Sequence, residues 1–187
     1  HCETASTDEV RRGAASMIKP IELSEIRGFK DLSRGPKVRP RSERGESTHT
    51  IALVPNTYLA TLWPDVSDQL GKAIARSRGR WSLEMLFAAI YNGHQHLWVA
   101  FDEDKNVNGV GTTEIVDYPN KRMLAIQFLG GDQFNEWVWD MLDRFHDWAR
   151  DNGCKGIEAT ARMGFWQWLK QDDFERSYVV YEKRFDE

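Results

Sequence analysis

A mixed α/β layer is the fold class that the sequence predicts, and three observations carry it. Three extended segments, HLWVAFD, VGTTEIV and MLAIQFL, are separated by the turn-forming stretches EDKNVNG and DYPNK. That is the pattern of an antiparallel meander. The third segment leads into the longest helical periodicity in the chain, and that helix leads directly to another extended stretch, KGIEATA. A strand, a crossover helix and a second strand in one sheet require parallel pairing and a right-handed connection.

The elements follow in chain order. Residues 1–16 are polar and lack periodicity, and the apolar positions of 18–32 (IKPIELSEIRGFKDL) suffice for a short strand or helix. The compact domain is expected from His49 to residue 187, with residues 1–48 a polar, basic and partly flexible extension. Asn56 can cap a short helix, TYLATLW, which Pro64 is expected to interrupt. A second helix, DVSDQLGKAIARS, spaces Val66, Leu70, Ala73 and Ile74 helically and ends at Gly79; Ser82 precedes a third, closed by Gly93. After the meander, residues 132–150 place Phe134, Trp137, Val138, Met141, Leu142, Phe145, Trp148 and Ala149 on one stripe through four turns. Asp132 is the expected N-cap and Gly153 the expected residue after the last turn. A short helix, FWQWLKQ, and a last strand, SYVVYEKRF, complete the order.

Composition narrows the classes. Twenty-two aromatics, eight of them Trp, supply a substantial core. No stretch of 18 uncharged apolar residues exists to suggest a membrane span. The expected setting is cytoplasmic, or virion-associated if the protein comes from a phage. Two cysteines, Cys2 and Cys154, make neither a disulfide framework nor a metal-spaced pair. The net charge of −4 is uneven: residues 1–48 hold ten basic and eight acidic residues (+2), and the remainder hold 15 and 21 (−6). Within 34–44, Arg34, Lys37, Arg39, Arg41 and Arg44 face only Glu43. This arm reads either as a solvated linker or as a segment that docks on an acidic partner or on nucleic acid.

The order of elements, the pair of segments in LWVAFDEDKNVNGVGTTEI, the AIQFLGGD entry to the long helix, and the closing ARMGFWQWLKQDDFERSYVVYEKRF resemble the GNAT acetyltransferase superfamily over roughly residues 50–185. The resemblance implies a mostly antiparallel sheet flanked by helices, with a V-shaped splay between the fourth and fifth strands. It also implies acetyl-CoA as cofactor and an amine as acyl acceptor. In the family a Q/R-x-x-G-x-G/A loop aims backbone amides at the CoA pyrophosphate from the N-terminus of the long helix. The matching residues are Phe128, Leu129, Gly130, Gly131, Gln133, Phe134 and Asn135. Asp132 departs from the pattern by adding a carboxylate there, and no Lys or Arg lies within 128–143. The family's general-acid Tyr falls on Leu169, and its general-base Glu falls on Gln127. Glu114 and Glu158, on neighbouring strands, are therefore the candidate catalytic carboxylates.

Other residues carry weaker signals. His94 and His96 are two potential ligands without a third, so no metal site is expected; His146 reads as solvated and Cys154 as a small buried hydrophobe. Trp139 interrupts the stripe of the long helix and is expected at the edge of its buried face. With Trp63, Trp81 and Trp98 it would form an exposed aromatic patch of the kind found at interface centres. Two functions follow: an acyl-CoA-dependent N-acyltransferase of weakened activity, or a non-catalytic domain that binds protein partners in a larger assembly. The stretch LWVAFDEDKNVNGVGTTEIVDYP is similar to degenerate GNAT-like proteins of tailed phages, some of them virion components, which suits the second.

Overall fold

The computed structural model describes residues 38–185. Cys2, the segment 18–32 and the first cations of the basic arm, Arg34 and Lys37, lie outside the described residues. Five strands form one sheet in the order β1 (Thr50–Leu53), β2 (His96–Phe101), β3 (Val107–Tyr118), β4 (Lys121–Gly131), β5 (Ile157–Ala159). The first four pair antiparallel, and β5 pairs parallel to β4 through Leu124↔Ile157, Ala125↔Glu158 and Ile126↔Ala159. The meander and the parallel crossover are as the turn chemistry and the helix between them dictate. Strand β1 adds an edge that its short apolar run did not announce.

Helices cover both faces. Helix α1 (Leu59–Ile74) and α2 (Leu83–Tyr91) bury Val66, Leu70, Ile74, Leu86 and Ile90 against Leu97, Val99, Val110 and Phe128. Helix α3 (Phe134–Asp151) buries its aromatic stripe against Trp98, Leu124 and Ile126 on the other face. A bulge explains how β4 serves both. Thr112 pairs with Phe128 and Thr113 with Ile126, leaving Gln127 as the extra residue. Ile126 thus faces α3 while Phe128 faces α1 and α2.

Three local expectations are corrected. Pro64 lies inside α1 and does not divide it. The hydrogen bond it removes would have gone to the carbonyl of Ala60, an exposed residue, so the loss is not a buried one. Asp132 is not the N-cap of α3: Gln133 holds that position in the left-handed region (φ 51°) and makes no side-chain cap. The segment SYVVYEKRF forms no strand, and the chain from Phe174 to Phe185 takes up neither helix nor sheet. Between β5 and that segment, helix α4 (Trp166–Leu169) is flanked by 3-10 turns. Ser82 does cap α2, its hydroxyl accepting from the Met85 amide at 3.2 Å.

The packing of α3 on β3 is close because β3 offers Gly109 and Gly111 beneath it. A methyl group at Gly109 would land inside the Trp137 indole, and one at Gly111 would lie 2.8 Å from the Met141 sulfur. Trp137 is held in place by its indole N–H, which donates to the Asp132 carbonyl at 2.7 Å.

Candidate functional site

The loop from β4 into α3 is where a helix N-terminus could receive an anion. Two of its amides are committed within the chain. The Asp132 amide donates to the Asn108 carbonyl at 2.8 Å, and the Glu136 amide to the Gln133 carbonyl at 2.8 Å. Gly131 (φ +137°) lies so close to the Asn108 carbonyl that no side chain fits, and Gly130 packs under α1 near Gln69 and Ala73. Of the other residues matched to the cofactor loop, Phe128 is buried against Trp81 in the α1/α2 core, and Leu129 packs into the α3 core. Asn135 accepts a hydrogen bond from the Arg39 amide at 2.6 Å.

Strands β4 and β5 part after Ile126 and Ala159, leaving residues 127–131 of β4 without a β5 neighbour. Beyond that point rings from the first turn of α3 and from the turns after β5 meet one another. Phe134 lies 4.9 Å from Trp137, 6.3 Å from Phe165 and 6.0 Å from Trp168, all edge to face. Two surface depressions among the described residues lie elsewhere. One, of about 420 Å³, is lined by residues 47–50 with Asp102, Glu103 and Lys105; the other, of about 310 Å³, is lined by Arg41, Asp143, His146 and their neighbours.

The candidate carboxylates share a row. Glu114 pairs with Ala125, which pairs with Glu158, so both side chains leave the same face of the sheet, about 10 Å apart at the backbone. Gln127, swung toward β3 by the bulge, donates to Glu114 at 3.0 Å. Tyr118 donates to Glu158 at 2.8 Å, a bond that raises the phenol's pKa and holds its proton. Neither carboxylate is ion-paired to a described residue. Tyr118 was not singled out from the sequence, because its turn position next to Pro119 reads as a connector. The position matched to the family's acid, Leu169, is buried. Tyr178 and Tyr181 are 73% and 91% exposed and on no strand.

The basic arm finds its acidic partner within the chain. Arg39 pairs with Glu136 at 3.1 Å; Arg41 pairs with Asp143 and Asp172; Arg44 pairs with Asp140 and, at 2.7 Å, with Asp143. Glu136, Asp140 and Asp143 recur at i, i+4 and i+7 along one face of α3. The arm also corrects the reading of Trp139, which is 2% exposed. Its indole N–H donates to the Arg39 carbonyl at 3.1 Å, Arg41 stacks over its ring, and Trp168 meets it edge to face. Trp98 is buried as well, and Trp63 and Trp81 are half-buried, so the expected aromatic patch does not form.

The remaining candidates serve structure. His96 donates from Nδ1 to the Thr113 carbonyl at 3.3 Å beside Trp148, and burial pushes its pKa down. The folded state therefore takes up fewer protons than the unfolded one as pH falls through 6.5, the ordinary value. This contribution to stability is complete above that pH and is lost progressively below it. Urea unfolding at pH 7.5 and 5.5 is expected to show a stability loss at the lower pH that His96→Gln reduces. Burial raises the Cys154 thiol, which keeps it protonated and unreactive. His146 bonds Asp172 at 2.7 Å. Among the described residues no three His, Cys, Asp or Glu converge as metal ligands, and no helix is long and apolar enough to cross a membrane.

No family model and no curated protein matches the chain. Solved structures do. An aminoglycoside acetyltransferase from an uncultured soil metagenomic sample superposes with a TM-score of 0.55 at 14% identity, covering 74% of this chain and 97% of that one. Glucosamine-6-phosphate N-acetyltransferase from Arabidopsis thaliana gives 0.53 at 14%, covering 74% and 99%. Ribosomal-protein-alanine N-acetyltransferase from Brucella melitensis biovar Abortus gives 0.55 at 14%, again covering 74% and 99%. At these identities the likeness is one of fold: a five-stranded, mostly antiparallel sheet flanked by helices in the GNAT arrangement.

Proposed function

We propose that this chain uses the GNAT fold for binding and not for acyl transfer. The reading rests on the rings of Phe134, Phe165 and Trp168, which meet one another from the first turn of α3 and the turns after β5. Acyl-CoA, the cofactor the fold implies, does not fit the residues present. The loop amides of Asp132 and Glu136 are bonded within the chain, and the exposed Asp132 carboxylate opposes a diphosphate. The arm, bearing on Asn135 and Glu136, covers the first turn of α3. Glu158 is engaged by the Tyr118 phenol and Glu114 by the Gln127 amide, so both carboxylates are held by neighbouring side chains of the sheet. The setting we propose is a protein assembly, of which a tailed-phage particle is the instance suggested by the stretch around the β2–β3 turn.

Calorimetric titration with acetyl-CoA tests this. No heat is expected up to about 1 mM ligand, the concentration at which even binding worth roughly 4 kcal/mol would register. Saturable binding in the micromolar range, with acetyl transfer to an amine lost in Glu114→Gln, would restore the enzyme reading.

A further inference from the structure

Three stretches outside the sheet bring cations together on a body whose charge is otherwise acidic. The connection from α1 to α2 holds Arg76, Arg78 and Arg80 and no acid within residues 76–80, and residues 176–184 hold Arg176, Lys183 and Arg184 against Glu182 alone. Arg80 pairs with Glu182, which joins the two stretches. Arg176 lies 4.5 Å over the Trp166 ring, which joins the second of them to the turns after β5. In those turns the Arg162 guanidinium lies 5.6 Å over Phe165, and burial and the charge of Arg76 push its pKa down. Arg76, Arg78, Arg162 and Lys183 are exposed, and none is ion-paired to a described residue. Open rings stand among these cations. Tyr178, Tyr181 and Phe185 are 73, 91 and 81% exposed, and Lys183 lies 5.5 Å over Phe185. No ring or cation among the described residues stacks on either tyrosine.

We propose that this surface binds single-stranded nucleic acid, with Arg76, Arg78, Arg162 and Lys183 on phosphates and the exposed rings stacked on bases. Charge complementarity calls for a polyanion, and the rings decide which. A base with an open face stacks on an exposed aromatic ring whatever its identity. Duplex DNA keeps those faces within its own stack and an acidic peptide has none, so neither would cover the tyrosines. An anionic bilayer is engaged by helices that gather apolar residues on one face, and residues 174–185 form no helix. The surface lies apart from the face of α3 that holds Arg39, Arg41 and Arg44. It also lies apart from the loop between β4 and α3, so its binding is independent of acyl-CoA. On a single strand each phosphate contact adds about 0.7 to the salt exponent. Four contacts make the affinity fall as roughly the third power of salt, about fiftyfold between about 50 and 200 mM.

Fluorescence anisotropy of a labelled oligothymidylate of about 20 nucleotides, titrated with the full chain, tests this. Micromolar binding at about 50 mM salt is expected, with the salt dependence above. Arg76→Gln with Arg78→Gln is expected to weaken it at least about tenfold and to halve the salt exponent, since half of the phosphate contacts go. Tyr181→Ala is expected to weaken it about tenfold with the exponent unchanged, and Tyr181→Phe to keep the parent affinity, because stacking needs the ring and not the hydroxyl. Lys72→Gln, at an exposed lysine of α1 paired with Asp68, is the control and is expected to change neither quantity. All these positions are exposed, so unchanged circular dichroism separates lost binding from misfolding. Absence of binding at low salt overturns the proposal. Equal affinity for the duplex, for polyglutamate or for vesicles of anionic lipid assigns the surface to another partner and overturns it too. So does an oligothymidylate complex that neither Tyr181→Ala nor the arginine pair weakens, since its contacts then lie elsewhere on the chain.

Discussion

Gly109→Val is expected to lower stability by about 3 kcal/mol, which for a chain of this size moves the melting temperature down by roughly 6–12 °C. The cause is local and rigid. A side chain at Gly109 enters the plane of the Trp137 indole, and the ring cannot retreat, because its N–H is bonded to the Asp132 carbonyl and its other side meets Phe134. Gly130→Ala is the informative comparison: the added methyl meets Gln69 backbone and Ala73 at 3.4–3.7 Å, so a cost below about 1 kcal/mol is expected. Thermal unfolding of both variants checks the order. If Gly130 belonged to a cofactor cradle, its substitution would change ligand response and spare stability, whereas packing predicts a graded stability loss with no ligand to respond to. Equal effects at the two glycines would overturn the packing account of the β3–α3 contact.

That contact also marks where the sequence could be read and where it could not. Phe134, Trp137, Val138, Met141, Leu142 and Phe145 were legible because the helical period sorts a helix's own residues onto one face, and all but Phe134 are fully buried. Trp139 was not, since its cover comes from Arg39 and Arg41, about a hundred positions earlier, and no local period reports a long-range contact. The strands β2 to β4 were legible from turns and alternation. The bulge that turns Phe128 away from α3 was not, because one extra residue leaves the apolar count unchanged. Residues 178–181 read as a strand on composition, but pairing requires a partner, and the sheet's own strands supply none to it. The carboxylate row was half legible: Glu114 and Glu158 were named, but their alignment across Ala125 is a matter of register.

The charge asymmetry of the sequence has a structural answer with a measurable consequence. The cations of the arm and the carboxylates of α3 neutralise one another within the chain, which withdraws Arg39, Arg41 and Arg44 from the nucleic acid that a free basic arm would attract. Arg41 is the centre of this contact. It bonds Asp143 and Asp172, and it lies 5.4 Å over the Trp139 ring that the arm encloses. Removing it leaves Asp172, whose side chain is 10% exposed, with the His146 hydrogen bond as its remaining side-chain contact. Loss of a part-buried, bidentate cation is expected to cost about 2 kcal/mol, below the range for a fully buried pair because Arg41 is itself about a third exposed. Arg150 is the control. It sits on α3, its side chain is 76% exposed, and it meets Asp147 only at 4.0 Å, so Arg150→Ala is expected to stay within about 0.5 kcal/mol of the parent. Limited trypsinolysis reads the same difference: Arg41→Ala is expected to speed cleavage after Arg44, as raised salt should in the parent by screening the pairs. If Arg41→Ala and Arg150→Ala melt together and are cut at the same rate, the arm is a passive passenger on α3 and the burial of Trp139 must come from Trp168 alone.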